Sequence, residues 1–398
     1  MELTWYHRSL FQFENFQDSL FSDIGLFTMS RLFTPLALRG ITLSNRIVIS
    51  PMCQYSAHQG EATAWHMVHY GQFAASGAAM CFIEAIAVEP DGRITRGDLG
   101  LWNDATEAAL KPMLAMIRQY SPIRVAMQIA HAGRKASSYL PWEGGQLVPA
   151  TAGGWITHAP SAVPYKLDEA SPQALDMAGL KRIRQAFADT ARRAARLGID
   201  ALEIHAAHGY LLHEFLSPLA NQRHDEYGGS PENRMRFPLE IFDAVRAAFP
   251  DDRPVGVRVS ATDWVAGGWS LEETVAFAHE LKRRGADWID VSFGGMSPLQ
   301  EIPLKPGYQV PFAREIKAST GLTTMTVGLI TNPSHANQIL EDGNADLVAI
   351  GRAMLYDPHW PWRAAAQLGA NVQVPPQYWR STPHEQKTLF GNVPFGQR

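Results

Sequence analysis

Eight short, nearly continuous apolar runs most constrain what this chain can fold into. They are Arg46–Ser50, Met80–Ala87, Arg124–Ile129, Ala201–His205, Val255–Ser260, Trp288–Val291, Thr324–Val327 and Leu347–Ile350. A strand that is apolar on both faces is covered on both faces, as in a parallel sheet. Segments of helical period separate the runs. Leu180, Ile183, Phe187, Ala194 and Leu197 form one apolar stripe, closed by Gly198. Phe237, Ile241, Val245 and Phe249 form another, with Ser230-Pro231 as cap and first turn. Ser270 and Glu273 make a capping box for a helix that ends at Gly285. About eight such strand–helix units predict an α/β chain closed into a (β/α)8 TIM barrel. The rival, an open doubly wound sheet, calls for a G-x-G-x-x-G turn after an early strand, which the sequence lacks.

Two segments stand outside the repeat. Leu36–Ser44, turning at Gly40, is predicted to be an N-terminal hairpin that plugs the bottom of the barrel. Residues 138–172, rich in Pro, Gly and aromatic side chains, are predicted to be an insertion after the third strand that caps the catalytic face. Residues 1–28 read as an upstream extension, disordered or non-native, because Met29 begins a segment like a natural start. Residues 29–398 are then a single barrel domain.

Composition narrows the class. The formal charge is −4, which does not suggest nucleic acid or an anionic membrane as a partner. No apolar run approaches the length of a membrane span. The only cysteines, Cys53 and Cys81, exclude a disulfide scaffold and argue against a cysteine-rich metal site. A reducing, cytoplasmic compartment is expected.

In such barrels the chemistry sits at the C-terminal strand ends. Cys53 and Tyr55 follow the first strand, Gln128 lies near the end of the third, and His205-Ala-Ala-His208-Gly-Tyr210 closes the fourth. Arg258 lies in the fifth and needs a buried partner. Gly328 and Gly351-Arg352 end the seventh and eighth, where barrels often bind phosphate; they are equally readable as ordinary barrel turns. His205 and His208 suit either a metal or a paired donor site for a substrate oxygen, but a third ligand at a convincing spacing is missing, and no metal is expected.

Pro51-Met-Cys-Gln-Tyr55, Gln128-Ile-Ala-His-Ala-Gly-Arg134, His205-Ala-Ala-His-Gly-Tyr210 with the following Leu211–Pro218, Arg223–Ser230 with Glu232-Asn-Arg234, and Gly351-Arg352 resemble the Old Yellow Enzyme family. Cys53 with Tyr55 is similar to its thermophilic-like branch, which includes bacterial xenobiotic reductases. The resemblance spans roughly residues 30 to 380. It implies a tightly bound, non-covalent FMN and NADPH or NADH as reductant. It implies an ene-reductase (NADPH dehydrogenase) that sends hydride to the β carbon of α,β-unsaturated carbonyl or nitro compounds, by ping-pong kinetics.

Carried over, Pro51, Met52, Cys53 and Ala85 line the flavin ring, Gln128 meets its pyrimidine end and Arg258 faces N1. Gly328, Gly351 and Arg352 hold the phosphate. His205 and His208 grip the substrate oxygen, Tyr55 adds a hydrogen bond, and Tyr210 delivers the proton. Arg380, in Gln377-Tyr-Trp-Arg380, is similar to an arginine inserted into a neighbouring subunit's site, which implies a homodimer or higher even oligomer. Phe293 departs from the family pattern, where a second serine is usual, and puts contacts near the flavin edge in doubt. Trp264, Trp269 and Trp379 are candidates to shape the pocket. The rivals are a metal-dependent barrel hydrolase or lyase using His205 and His208, and a non-catalytic flavin redox sensor using Cys53.

Overall fold

The computed structural model describes residues 30–393; the extension expected over residues 1–28 lies outside them. Eight parallel strands close into one barrel. They are β1 (Ile47–Ile49), β2 (Met80–Ala87), β3 (Arg124–Ala130), β4 (Ala201–Ala206), β5 (Val255–Ser260), β6 (Trp288–Ser292), β7 (Thr323–Thr326) and β8 (Leu347–Ile350). The ring shuts where β8 pairs with β1, Val348 opposite Ile47 and Ile350 opposite Ile49. Each expected run became a strand, to within a residue or two at its ends.

The helices start and stop for the local reasons the sequence suggests. The helix Met177–Arg196 buries Leu180, Ile183, Phe187 and Ala194, and Gly198 beyond it takes φ +72. Ser230 caps Pro231–Ala248 by accepting from Asn233 N–H, and that helix runs through Pro238 without ending. Ser270 and Glu273 form the reciprocal capping box of Leu271–Arg283.

The antiparallel hairpin Leu36–Leu38/Ile41–Leu43 seals the barrel floor. Leu38, Ile41 and Leu43 pack in one buried cluster with the inward residues Val48, Met80, Phe82, Ala126, Trp288 and Met325. The left-handed residue of its turn is Arg39, at φ +48. Gly40 is needed for closeness instead: its N–H donates to Asp252 O at 3.0 Å. A Cβ there would lie 2.2 Å from that oxygen.

Above the barrel, the segment after β3 is built of tight turns and two short strands, His158–Ala159 and Gln173–Ala174. It is fastened through Arg134, whose guanidinium donates to Val163 O and Pro164 O, both at 3.3 Å. Among the described residues, no helix is long and apolar enough to cross a membrane.

Candidate active site

The loop after β1 carries Pro51, Met52, Cys53 and Tyr55. Tyr55 adopts φ +53, a strained region for a side chain of its size. Its anchor comes from β2. The β2–β3 register slips between Ile83 and Ala85, leaving Glu84 as the extra residue of a bulge. The bulge keeps Ile83 and Glu84 both on the outer face and turns Ala85 inward, opposite Gln128. Glu84 then reaches the loop: Gln54 N–H donates to its Oε2 at 2.8 Å. Tyr70 and His66, from the helix Ala64–Ala74, enclose the same carboxylate; the Tyr70 hydroxyl donates to Oε1 at 3.4 Å. His66 Nδ1 accepts from Thr63 N–H at 3.0 Å, so its proton sits on Nε2, 3.6 Å from Glu84 Oε1. Burial raises the Glu84 carboxyl to about 8.

The loop after β4 carries the histidines and the tyrosine. His208 has φ +59 and Gly209 φ +72. A Cβ on Gly209 would lie 1.9 Å from Gly295 O, so only glycine fits. His205 Nε2 and His208 Nδ1 face each other at 3.3 Å, and His208 Nε2 lies 2.8 Å from Ser292 Oγ. The Tyr210 and His205 rings meet edge to face at 5.2 Å, and His205 meets His208 likewise at 5.0 Å. Burial, then Arg258, pushes both histidines well below the usual imidazole range, so both are neutral. Burial, then Cys53 and Tyr55, pushes the Tyr210 hydroxyl well above the phenol range, so it holds its proton at neutral pH. Cys53 is likewise raised by burial and then by Asp98 and Glu84, and is a neutral thiol.

A buried polar layer spans the barrel below these loops. Gln128 donates to Glu203 Oε1 at 2.8 Å and Trp288 Nε1 donates to Oε2 at 3.2 Å. Arg258 Nε lies 3.2 Å from Asp290 Oδ2, the next strand's residue in register. Asp290 is thus the buried partner that Arg258 required. Burial, then Asp290, raises the Glu203 carboxyl to about 8, against the pull of Arg258.

Two cavities open on this face. One, about 350 Å³, lies under the cap and is lined by Tyr55, Tyr210, Lys135, Tyr139 and Tyr165 among others. The other, about 290 Å³, is lined by Pro51, Met52, His208, Arg258, Gly328, Gly351 and Arg352, with Ser50 and Gln309. Ser50 Oγ, Gln309 Oε1 and His205 Nδ1 are buried without a hydrogen-bond partner. Such atoms mark places where a bound polar group is expected.

A sequence model of the NADH:flavin oxidoreductase / NADH oxidase family matches residues 31–371. This chain belongs to that family. It is 43% identical over 351 residues to an NADPH dehydrogenase of Geobacillus thermodenitrificans, covering 88% of this chain and 98% of that one. It is 43% identical over 352 residues to an NADPH dehydrogenase of Bacillus subtilis, with the same coverage. The structure of morphinone reductase superposes with a TM-score of 0.72 at 30% identity, covering 87% of this chain and 92% of that one. The chain is therefore an NAD(P)H-dependent flavin oxidoreductase of the Old Yellow Enzyme type, with FMN as cofactor.

The flavin-oxidoreductase fold gathers most of the expected residues into these two cavities and the wall between them. The chemistry of the 290 Å³ cavity fits FMN: orphaned polar atoms of Ser50 and Gln309 and the cationic side chains of Arg258 and Arg352 line it. Ala85 and Gln128 pair in register through the bulge; like Cys53 and His205, they line neither cavity. Arg380 lies elsewhere, on the exposed turn Pro376–Ser381. Trp264, Trp269 and Trp379 line neither cavity. Trp269 is core, donating to Thr274 Oγ1 at 2.6 Å, and Trp379 donates to Val374 O at 3.2 Å. Phe293, where the family pattern has a serine, packs edge to face with Trp264, Tyr308 and Phe312 and lines the 290 Å³ cavity. Among the described residues, no three His, Cys, Asp or Glu side chains converge on a point that could hold a metal ion.

Several site residues went unnoticed in the sequence. Glu84, Glu203 and Asp290 are charges inside apolar strand runs, the same signal that singled out Arg258. Lys135 gave no signal. It donates to His208 O at 2.8 Å and to Gly295 O at 3.2 Å. Its ammonium lies 4.8 Å from the Tyr210 ring centre and 5.0 Å from that of Tyr165. Burial lowers it to about 8.

Proposed function

We propose that the protein is an ene-reductase acting on α,β-unsaturated carbonyl or nitro compounds. The carrying observation is a continuous path of rings. Tyr210 opens on the capped cavity, His205 packs against it, and His208 lines the cavity suited to FMN. When bound, FMN would supply the hydride chemistry that links oxidation of NAD(P)H to reduction of the alkene at its β carbon, the two substrates using the site in turn.

The residues then divide the work. Pro51, Met52, Cys53 and Ala85 bound the ring, and Gln128, with its amide N–H committed to Glu203, offers its oxygen to the pyrimidine edge. Arg258 places a fixed positive charge where negative charge accumulates on the cofactor. Gly328, Gly351 and Arg352 receive the phosphate. His205 and His208 receive the substrate oxygen between their facing nitrogens. In the tautomer that suits this role, His208 Nε2 accepts from Ser292 Oγ, 2.8 Å away, and Nδ1 carries the proton, aimed at that point. One such donor contributes about 3–4 kcal/mol to the transition state. Tyr55, which lines the capped cavity with Tyr210, adds a hydrogen bond to the substrate. Tyr210 releases its hydroxyl proton to the α carbon as enolate-like charge forms, and regains a proton from solvent. The neighbouring Lys135 ammonium stabilises the phenolate left behind.

Arg380 is assigned to a neighbouring subunit's site, in an even oligomer working in the cytoplasm; a monomeric mass by light scattering would remove that assignment. The reaction is tested by absorbance. Flavin bands that bleach with anaerobic NADPH and return with 2-cyclohexenone support it. Bands that bleach and do not return refute the alkene assignment, and a colourless protein after FMN addition refutes the site. In Tyr210→Phe, reoxidation by the enone should slow by about 10²-fold or more, while bleaching by NADPH persists.

A further inference from the structure

The roles proposed for His208 and Tyr210 require a loop that cannot drift, yet its two central residues sit in the left-handed region. A side chain there costs roughly 1–2 kcal/mol, so the surroundings must impose it. The flanking peptides are held by ordinary means: His208 N–H donates to Ser260 Oγ at 2.9 Å, and Tyr210 N–H to Ala207 O at 3.2 Å. The central amide is held differently. Gly209 N–H donates to the imidazole Nδ1 of His213 at 2.9 Å.

An imidazole nitrogen accepts only when it carries no proton. His213 must therefore be neutral, with its proton on Nε2. That nitrogen lies 2.9 Å from Asp263 Oδ1, off the straight line of an ideal hydrogen bond. Asp263 is itself gripped through its other oxygen, which accepts from Ser217 Oγ at 2.6 Å and Trp269 N–H at 2.8 Å. All three side chains, His213, Asp263 and Ser217, are fully buried. Burial pushes the Asp263 carboxyl up, and the hydrogen bonds it accepts from Ser217 and Trp269 oppose that rise. A buried carboxylate thus fixes a histidine tautomer, and that tautomer fixes the amide between His208 and Tyr210.

We infer that His213 and Asp263 are a positioning pair for the proposed chemistry, acting through the Gly209 amide and resting on the roles given to His208 and Tyr210. Neither faces the two cavities. Their arrangement has the logic by which a buried aspartate holds a catalytic histidine in its working tautomer, with the backbone amide in place of a nucleophile.

Asp263→Asn tests this with little change of shape. The amide oxygen must keep facing Ser217 and Trp269, which turns its NH2 toward His213 Nε2. Two donors then oppose each other, His213 moves its proton to Nδ1, and Gly209 loses its acceptor. In flavin-free Asp263→Asn, nitrogen-15 spectra should show His213 in the Nδ1–H form, and Gly209 amide exchange should quicken. With FMN bound, single-turnover reoxidation by 2-cyclohexenone should slow by about 10²-fold, the cost of misplacing a reacting group by about 1 Å. The His213→Asn variant, whose side-chain oxygen can replace Nδ1, should recover most of the rate that His213→Ala loses; this pair decides the matter should Asp263→Asn not fold. An unchanged His213 tautomer, or native reoxidation in both Asp263→Asn and His213→Ala while Tyr210→Phe is slow, overturns the inference alone. Native reoxidation in Tyr210→Phe overturns the Tyr210 assignment beneath it.

Discussion

The two ends of this barrel are made on opposite principles. At the floor, Leu38, Ile41 and Leu43 meet Val48, Met80, Phe82, Met325 and Leu347, a cluster of apolar side chains. At the top, Gln128, Glu203, Arg258 and Asp290 lie buried in one layer, and Lys135, Glu84 and Asp263 sit in the loops and strand just outside it. Backbone strain follows the same division. Among the described residues, the non-glycine positive-φ positions Tyr55, Gln59, Ser137, His208, Trp264 and Leu329 all lie in loops that follow barrel strands, and only Arg39 lies at the floor. Buried charge and strained backbone cost stability. The apolar floor supplies what the top spends. The lesson is that conformational cost is concentrated where groups must be held ready for a ligand, and is absent where the barrel only has to be full.

The sharpest test of the division is Phe82→Ala. Phe82 is almost fully buried at the floor, so its removal should lower the unfolding free energy by about 3–5 kcal/mol in urea titrations. Reoxidation by 2-cyclohexenone in the folded fraction should change little. A rate loss matching the stability loss would break the comparison.

At the top, Arg258→Met should cost roughly 3 kcal/mol or more in the flavin-free protein, because Asp290 loses its buried counter-charge and must stay charged without it or take up a proton. Replacing both, as Arg258→Met with Asp290→Leu, should restore or exceed native stability while FMN binding is lost. A double variant that stays destabilised would show that the pair serves folding and not function.

Smaller effects follow. Gly40→Ala at the floor should cost about 1–3 kcal/mol, since its Cβ meets the Asp252 carbonyl. Hydrogen exchange should report loosening of the hairpin and leave the Tyr210 loop protected.

A further effect concerns pH. The Glu84 carboxyl sits at about 8 in the folded protein, well above its range in the unfolded chain. Between those values the unfolded chain gives up the proton and the folded protein keeps it. Stability therefore falls as pH rises through that window and levels off above about 8. Glu84→Gln should flatten part of this decline in the flavin-free protein, while its amide oxygen still accepts from Gln54 N–H. Equal decline in both proteins between about pH 5.5 and about pH 8.5 would show that Glu84 does not titrate there.

Much of this was legible in the chain. Strand runs such as Met80–Ala87 stand out because a strand covered on both faces has no polar face to break it. Caps such as Ser230 and Ser270 are legible because their hydrogen bonds span three residues. Tyr55, His205, His208, Tyr210 and Arg352 stand out as candidates because they fall at strand ends, and Arg258 because it is a charge inside an apolar strand. Lys135 does not, because its partners are backbone carbonyls of other loops, and carbonyls have no sequence signature. His213 has no such signature, because the pattern of its short helix gives no reason for its burial.

By itself, then, the amino-acid sequence determined the number of strand–helix units, the floor hairpin, the cap and the residue types at the strand ends. All of these rest on periodicity and on contacts a few residues long. The tertiary structure alone decided that a bulge at Glu84 turns Ala85 toward Gln128. It alone decided that Asp290 is the partner of Arg258, and that Asp263 reaches the Tyr210 loop through His213. The physical reason is that a buried charge or an unpaired amide must be satisfied by whatever the closing barrel brings beside it. That neighbour is set by strand register and loop path, which no local pattern records.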